Sequence, residues 1–135
     1  DTKGKEVANT FYWRSNDKYE GRKTLTGPTS SGFEDLSKLK QVQLKTRYQT
    51  YQEGDRHFIK AEIKNPSSTV AFFTQLQLLG QDKKPVRPSF YTDNFFSLLP
   101  GESKTVIIET AASDMPSEPT FVVKGWNIKP SSFKL

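Results

Sequence analysis

The stretch DNFFSLLPGESKTVIIE, Asp93 to Glu109, decides how this chain folds. Pro100 presets φ for the first central position of a tight turn, and Gly101 supplies the positive φ that a type II turn requires at the second. Leu99-Pro100-Gly101-Glu102 is therefore a chain reversal. Beyond it, Val106 and Ile108 point to one side of a strand, with Thr105, Ile107 and Glu109 on the other. Before it, Phe95, Phe96, Leu98 and Leu99 are expected to leave water, each worth roughly 1.5–3 kcal/mol when buried. A loop whose apolar arm plugs one end of a β core accounts for both halves.

Working upstream, His57 to Asn65 alternates Ile59, Ala61 and Ile63 against Lys60, Glu62 and Lys64, which is a half-buried strand. Val42 to Tyr51 is a strand with Val42, Leu44 and Tyr48 on one face. The turn Glu53-Gly54-Asp55 joins the two. If they form a hairpin, the in-facing sets require opposed residues of opposite parity. The simplest such register places Arg47 opposite Glu62 and Lys45 opposite Lys64 on the wet face. Asn65-Pro66-Ser67-Ser68 ends the second strand. Phe72 to Leu79 is a strand with Phe72, Leu76 and Leu78 on one side. Gly80 to Pro88 is a loop, Phe90 to Leu98 an extended segment, Lys104 to Glu109 a strand, and Thr120 to Ile128 the last strand. Toward the start, Glu6 to Trp13 is a strand and Asn16 to Ser31 a polar loop. Ser31-Gly32-Phe33-Glu34 has the spacing of a capping box. It opens a short helix, Phe33 to Lys40, expected to bury Phe33, Leu36 and Leu39.

About seven short strands separated by turn signals, with one short helix, describe an all-β antiparallel sandwich. At 135 residues the chain has the length of one domain, residues 1–135. Ten Phe, five Tyr and two Trp offset a low hydrophobic fraction, so the core is expected to be thin and aromatic-rich. The opening DTKGKEV carries no hydrophobic signal segment and reads as an interior start within a longer protein. No apolar run approaches the ~20 residues of a membrane helix, so no membrane partner is expected.

The net charge of +5 raises nucleic acid as a partner. Its distribution argues against that, because the lysines alternate along a strand face or cluster in the loop Lys83-Lys84 with Arg87. No basic stripe interleaves with aromatics over a long span, as a single-strand groove requires. A basic module for an acidic polymer is the weakest reading.

Catalytic chemistry is equally hard to place. His57 is the only histidine and there is no cysteine, so a zinc-type site lacks ligands and no metal or cofactor is expected. No serine lies in a G-x-S-x-G elbow. Glu53/Asp55 and Glu34/Asp35 are close acid pairs, but they occupy turn and helix-start positions. No catalytic residue is assigned. Trp13, Tyr91 and Trp126 are the candidate contact residues. Their rings suit either sugar stacking or packing against another domain.

Several segments together resemble a known family. They are NTFYWRS at Asn9 to Ser15, GFEDLSKL at Gly32 to Leu39, and IKNPSSTVAFF at Ile63 to Phe73. YTDNFFSLLPGESKTV at Tyr91 to Val106 and VKGWN at Val123 to Asn127 complete the set. The chain resembles, in order from about Val7 to Asn127, the C-terminal immunoglobulin-like domain of glycoside hydrolase family 2 enzymes. Within that family it is most similar to exo-β-glucosaminidases and β-mannosidase-like enzymes. Arg14 departs from the aliphatic residue expected after Tyr12-Trp13.

The resemblance implies an immunoglobulin-like fold and a C-terminal piece of a larger, exported enzyme whose catalytic glutamates lie on a TIM barrel absent here. The partners it implies are the other domains of that glycosidase. The role is then a non-catalytic accessory sandwich that buttresses the barrel. The alternative is an independent carbohydrate-binding module using exposed aromatics.

Overall fold

The computed structural model describes residues 34–135. The chain divides into two compact units, Asp1–Leu39 and Lys40–Leu135. In the described part of the first, α1 (Glu34–Ser37) is a single helical turn with Leu36 buried and Leu39 half-buried. It is shorter than the helix expected from Phe33 to Lys40, because so few residues cannot repay the cost of helix nucleation beyond one turn. Phe33, the capping-box Ser31, the strand at Glu6 to Trp13 and the loop at Asn16 to Ser31 lie outside the described residues.

The second unit holds eight strands: β1 (Lys45–Glu53), β2 (Arg56–Lys64), β3 (Ala71–Leu79), β4 (Ser89–Tyr91), β5 (Phe96–Leu98), β6 (Ser103–Ala111), β7 (Thr120–Gly125) and β8 (Ile128–Lys134). They form two antiparallel four-stranded sheets, ordered β1-β2-β6-β4 and β5-β3-β7-β8. The immunoglobulin-like sandwich expected from the sequence is the observed fold. Ile59, Ala61, Ile63, Val106 and Ile108 of one sheet and Leu76, Leu78, Leu98, Phe121 and Val123 of the other belong to one buried cluster.

The β1–β2 hairpin has the expected register, with Arg47 opposite Glu62 and Lys45 opposite Lys64. Gly54, at φ +57, supplies the left-handed residue of its turn. Tyr48, opposite Ala61, faces inward at the sandwich margin. Its ring meets Phe121 and Phe133 edge-on, and its hydroxyl donates to the Lys134 carbonyl at 2.8 Å.

The turn at Pro100-Gly101 is also as expected. The Glu102 N–H donates to Leu99 O at 3.0 Å, and Gly101 sits at φ +81. The buried Asn65 locks it in place. Asn65 Nδ2 donates to Leu98 O at 3.0 Å, and Asn65 O accepts from Gly101 N at 2.8 Å.

Five expectations are corrected. Val42 is not part of β1. It makes a parallel bridge with Ile128 of the other sheet, so the chain changes sheets between Val42 and Lys45. Phe90 to Leu98 is not one extended segment. β4 pairs with β6, whereas β5 pairs with β3, and the chain crosses between sheets through Thr92 to Phe95. Phe95 and Leu99 are half-exposed rather than buried, because inward positions of β5 go to Phe96 and Leu98. Phe72 does not share a face with Leu76 and Leu78, because a bulge intervenes. The strand from Thr120 does not run on to Ile128. It turns at Trp126-Asn127, and β8 returns alongside it.

The outer edge of β3 shows how closely backbone polarity is accounted for. Beyond the Thr74–Phe96 pair, β5 no longer reaches it. Asn94 takes over with its side chain. Its Oδ1 accepts from Leu76 N at 2.8 Å, and its Nδ2 donates to Leu76 O at 3.0 Å. One step further, Leu78 N donates to the Tyr91 hydroxyl at 2.9 Å, and Leu78 O accepts from Val86 N at 3.0 Å. A buried strand edge must find such partners.

Candidate functional site

Strict alternation from the buried Ala71 would send Phe72 outward and Phe73 into the core. The structure does otherwise. The β3–β5 register shifts between Ala71 and Thr74, Thr74 takes the inward position, and Phe73 is turned out at φ +59. A bulge re-aims a side chain in this way. For a bulky residue the left-handed region costs about 1–3 kcal/mol.

The corner formed by Gly125-Trp126-Asn127 holds the bulge. Gly125 allows the backbones to touch, since a Cβ there would sit 2.9 Å from Phe73 O and 3.0 Å from Phe72 O. The Trp126 N–H donates to Phe72 O at 3.0 Å. Asn127, buried, accepts from Phe72 N at 2.8 Å through Oδ1. Its Nδ2 donates to Val70 O at 2.8 Å and Lys40 O at 2.9 Å. Three consecutive residues thus do three jobs: close approach, an outward ring, and a side-chain tie between three backbone segments.

Phe95 arrives from the other side. It too is left-handed, at φ +58, and its N–H donates to Asn94 Oδ1 at 3.1 Å. Phe73, Phe95 and Trp126 are 51%, 50% and 60% exposed. With Gln75, Lys124 and Gly125 they line a shallow depression of about 360 Å³ on the outer side of the β5-β3-β7-β8 sheet. The Phe73 and Phe95 rings lie 5.6 Å apart with their planes inclined at 52°. Among the described residues Lys124 is the one titratable residue of the lining, and its ammonium donates to Gln77 Oε1 at 3.3 Å. Among the described residues the surface is mainly apolar, stiffly held and without an acid or base pair. Such a surface supports contact rather than proton transfer.

Of the residues marked in the sequence, Trp126 belongs to this surface and Trp13 lies outside the described residues. Tyr91 is elsewhere, on β4 of the opposite sheet. Its ring packs against the core and its hydroxyl is occupied by Leu78 N–H. Burial pushes the phenol pKa up, and the Leu78 hydrogen bond partly opposes that. His57 is the second residue of β2, opposite Gln52 and Thr110. The outward face of the other sheet carries Lys45, Arg47, Lys60, Glu62 and Lys64, all exposed. Phe73 and Phe95 were not marked. A signal existed in the adjacent pair Phe72-Phe73, which breaks the alternation that Leu76 and Leu78 keep.

A family model described as the exo-β-D-glucosaminidase Ig-fold domain matches residues 24–128. An exo-β-D-glucosaminidase from Streptomyces avermitilis is 31% identical over 137 residues, spanning 94% of this chain and 15% of that protein. One from Amycolatopsis orientalis is 29% identical over 94% of this chain and 13% of that protein. Among solved structures, the exo-chitosanase CsxA of Amycolatopsis orientalis superposes with a TM-score of 0.69 at 25% identity. The match covers 75% of this chain and 12% of that one.

Proposed function

The chain belongs to the exo-β-D-glucosaminidase Ig-fold domain family, and on that premise we propose that it is a non-catalytic accessory sandwich of a larger β-glycosidase. One observation carries this reading. Most of the chain is matched by the Ig-fold domain model, yet it spans only 15% and 13% of the two relatives. Bond cleavage then belongs to another domain of the parent chain. This domain's contribution is to buttress that catalytic domain. It does so as a rigid body, with a single core cluster joining both sheets and backbone edges closed by Asn94 and Tyr91.

The reading is tested by expressing the full gene product, the product lacking residues 1–135, and residues 1–135 alone. The full product is expected to release nitrophenol from p-nitrophenyl β-D-glucosaminide or β-mannoside. The truncated product is expected to lose thermal stability, and the segment alone to be inert. Hydrolysis at enzyme-like rates by residues 1–135 alone would falsify it.

Carbohydrate binding by the aromatics is the competing reading. Sugar stacking favours flat, coplanar platforms. The 52° inclination of Phe73 and Phe95 and the occupied Tyr91 hydroxyl give it little support. Unchanged tryptophan fluorescence on titration with millimolar chitosan oligosaccharide is the expected result.

A further inference from the structure

The depression lined by Phe73, Phe95 and Trp126 is the least explained part of the surface. Single exposed apolar residues are ordinary, but a contiguous cluster marks a contact site. This cluster is also built against the local preferences of the chain. Phe73 and Phe95 both occupy the left-handed region, which bulky side chains avoid. In β3 the bulge leaves both Ala71 and Thr74 facing the core and holds Phe73 outward at a left-handed position. Backbone strain of this kind persists where the surrounding structure over-determines it, and such places cluster at functional sites. Here the over-determining groups are Gly125 and Asn127, which contribute no side chain to the ring cluster themselves but fix the bulge beneath it.

We infer that Phe73, Phe95 and Trp126 form the face by which this domain docks onto an apolar surface of another domain of its own parent polypeptide. The inference rests on the accessory-domain reading and deepens it by naming the face. Three observations select this occupant. Inclined rings around a shallow hollow fit interdigitating side chains, whereas a pyranose needs a flat face. Lys124, the only charge in the lining among the described residues, is drawn toward Gln77, and no carboxylate stands beside the rings to hold a polar ligand there. The matched relatives are far longer than this chain, with 15% of the length of one covered, so a tethered partner is at hand at high effective concentration. On the opposite sheet, Lys45, Arg47, Lys60 and Lys64 keep one end of the outward face polar, and at the other end Tyr51 stacks on Phe58 while the Arg56 guanidinium lies over the Phe90 ring.

The test is hydroxyl-radical labelling of the full gene product, each ring being compared with its own rate in the urea-unfolded protein. Phe73, Phe95 and Trp126 are expected to be strongly protected. Labelling at about half the unfolded rate, as their 50–60% exposure alone would give, overturns the inference. Protection that fades on dilution points to a second copy and also overturns it. So does protection that appears only when chitosan oligosaccharide is added. Amine cross-linking from Lys124 identifies the cover. Links to lysines beyond residues 1–135 support docking, and links confined to residues 1–135 overturn it. Glycosidase activity is read separately. An inactive gene product with a protected face refutes the accessory-domain reading alone, and an active one with an unprotected face refutes only the docking.

Discussion

The two sheets of the sandwich are built on opposite plans. In β1-β2-β6-β4, every residue of β2 is paired with both neighbours and neither register shifts. Parity alone sets its faces: Ile59, Ala61 and Ile63 go in, and Lys60, Glu62 and Lys64 go out. In β5-β3-β7-β8, the register shifts twice, between Ala71 and Thr74 and again between Val123 and Gly125. Both shifts meet where Gly125 lies against the Phe72 and Phe73 carbonyls. The regular sheet turns Lys60, Glu62 and Lys64 outward at one end and Phe90 at the other, all by plain alternation, whereas the irregular one turns Phe73 and Phe95 out at left-handed positions. In the irregular sheet, the broken alternation lets Ala71 and Thr74 both face the core while Phe73 is turned out.

The sharpest way to break the contrast is Asn127→Ala. It leaves Phe72 N, Val70 O and Lys40 O without their partner, and stability should fall by about 4 kcal/mol in urea unfolding. A loss under 1 kcal/mol would show that the corner does not hold the bulge. Gly125→Ala is expected to cost about 3 kcal/mol, because the added methyl meets backbone carbonyls that cannot rotate away. Unchanged unfolding midpoints for this variant would mean that the strands separate easily at their second shift.

Gly101→Val tests a turn that both sheets share. The β-branched residue resists φ +81, and about 2 kcal/mol should be lost. No change in melting temperature would contradict the turn.

Tyr91→Phe removes one hydrogen bond between the sheets and should cost about 1 kcal/mol at neutral pH. Burial raises the Tyr91 phenol above the ordinary value of 10.0, so the folded state holds that proton more tightly than the unfolded chain. The stability this confers is complete below pH 10 and is lost as pH rises through the folded-state pKa. The alkaline loss should therefore be smaller in Tyr91→Phe than in the wild type, and equal losses would dissociate it from Tyr91.

The smallest effect belongs to the regular sheet. A double-mutant cycle on Arg47 and Glu62, exposed and opposed across β1 and β2, should give a coupling of about 0.5 kcal/mol or less. A coupling above 2 kcal/mol would mean that this face is more than a solvated surface.

What the sequence shows follows the same division. Alternation made the β2 faces, the β1–β2 register and the β6 core positions legible, because a period of two leaves only one way to bury Ile59 with Ile63. Pro100-Gly101 was legible because few conformations suit that pair. The bulge was not. Alternation back from Leu76 and Leu78 sends Thr74 inward, but nothing local says that Ala71 goes in as well. That outcome depends on a glycine and an asparagine some fifty positions away, with Phe72 bonded to Asn127 at a separation of 55. Trp126 was visible as a lone large ring after glycine, but its companions Phe73 and Phe95 looked like core. The crossing at Thr92 to Phe95 was hidden because apolar residues flank it on both sides. β8 was hidden because IKPSSFK lacks a sustained alternation.

The hydrogen bond from Asn127 to Lys40 spans 87 residues. Closing so long a loop carries an entropy cost that no nearby contact offsets in advance. For a chain emerging from the ribosome, the β1–β2 hairpin is available early, since its partners are neighbours in sequence. The second sheet is not. Its strand order sets β3 beside β7, so the inner edge of β3 stays open until residues beyond Thr120 have been made. During synthesis the nascent domain therefore exposes an unpaired strand bearing Leu76 and Leu78 for most of its length, and it must wait for its last strands before that strand is closed.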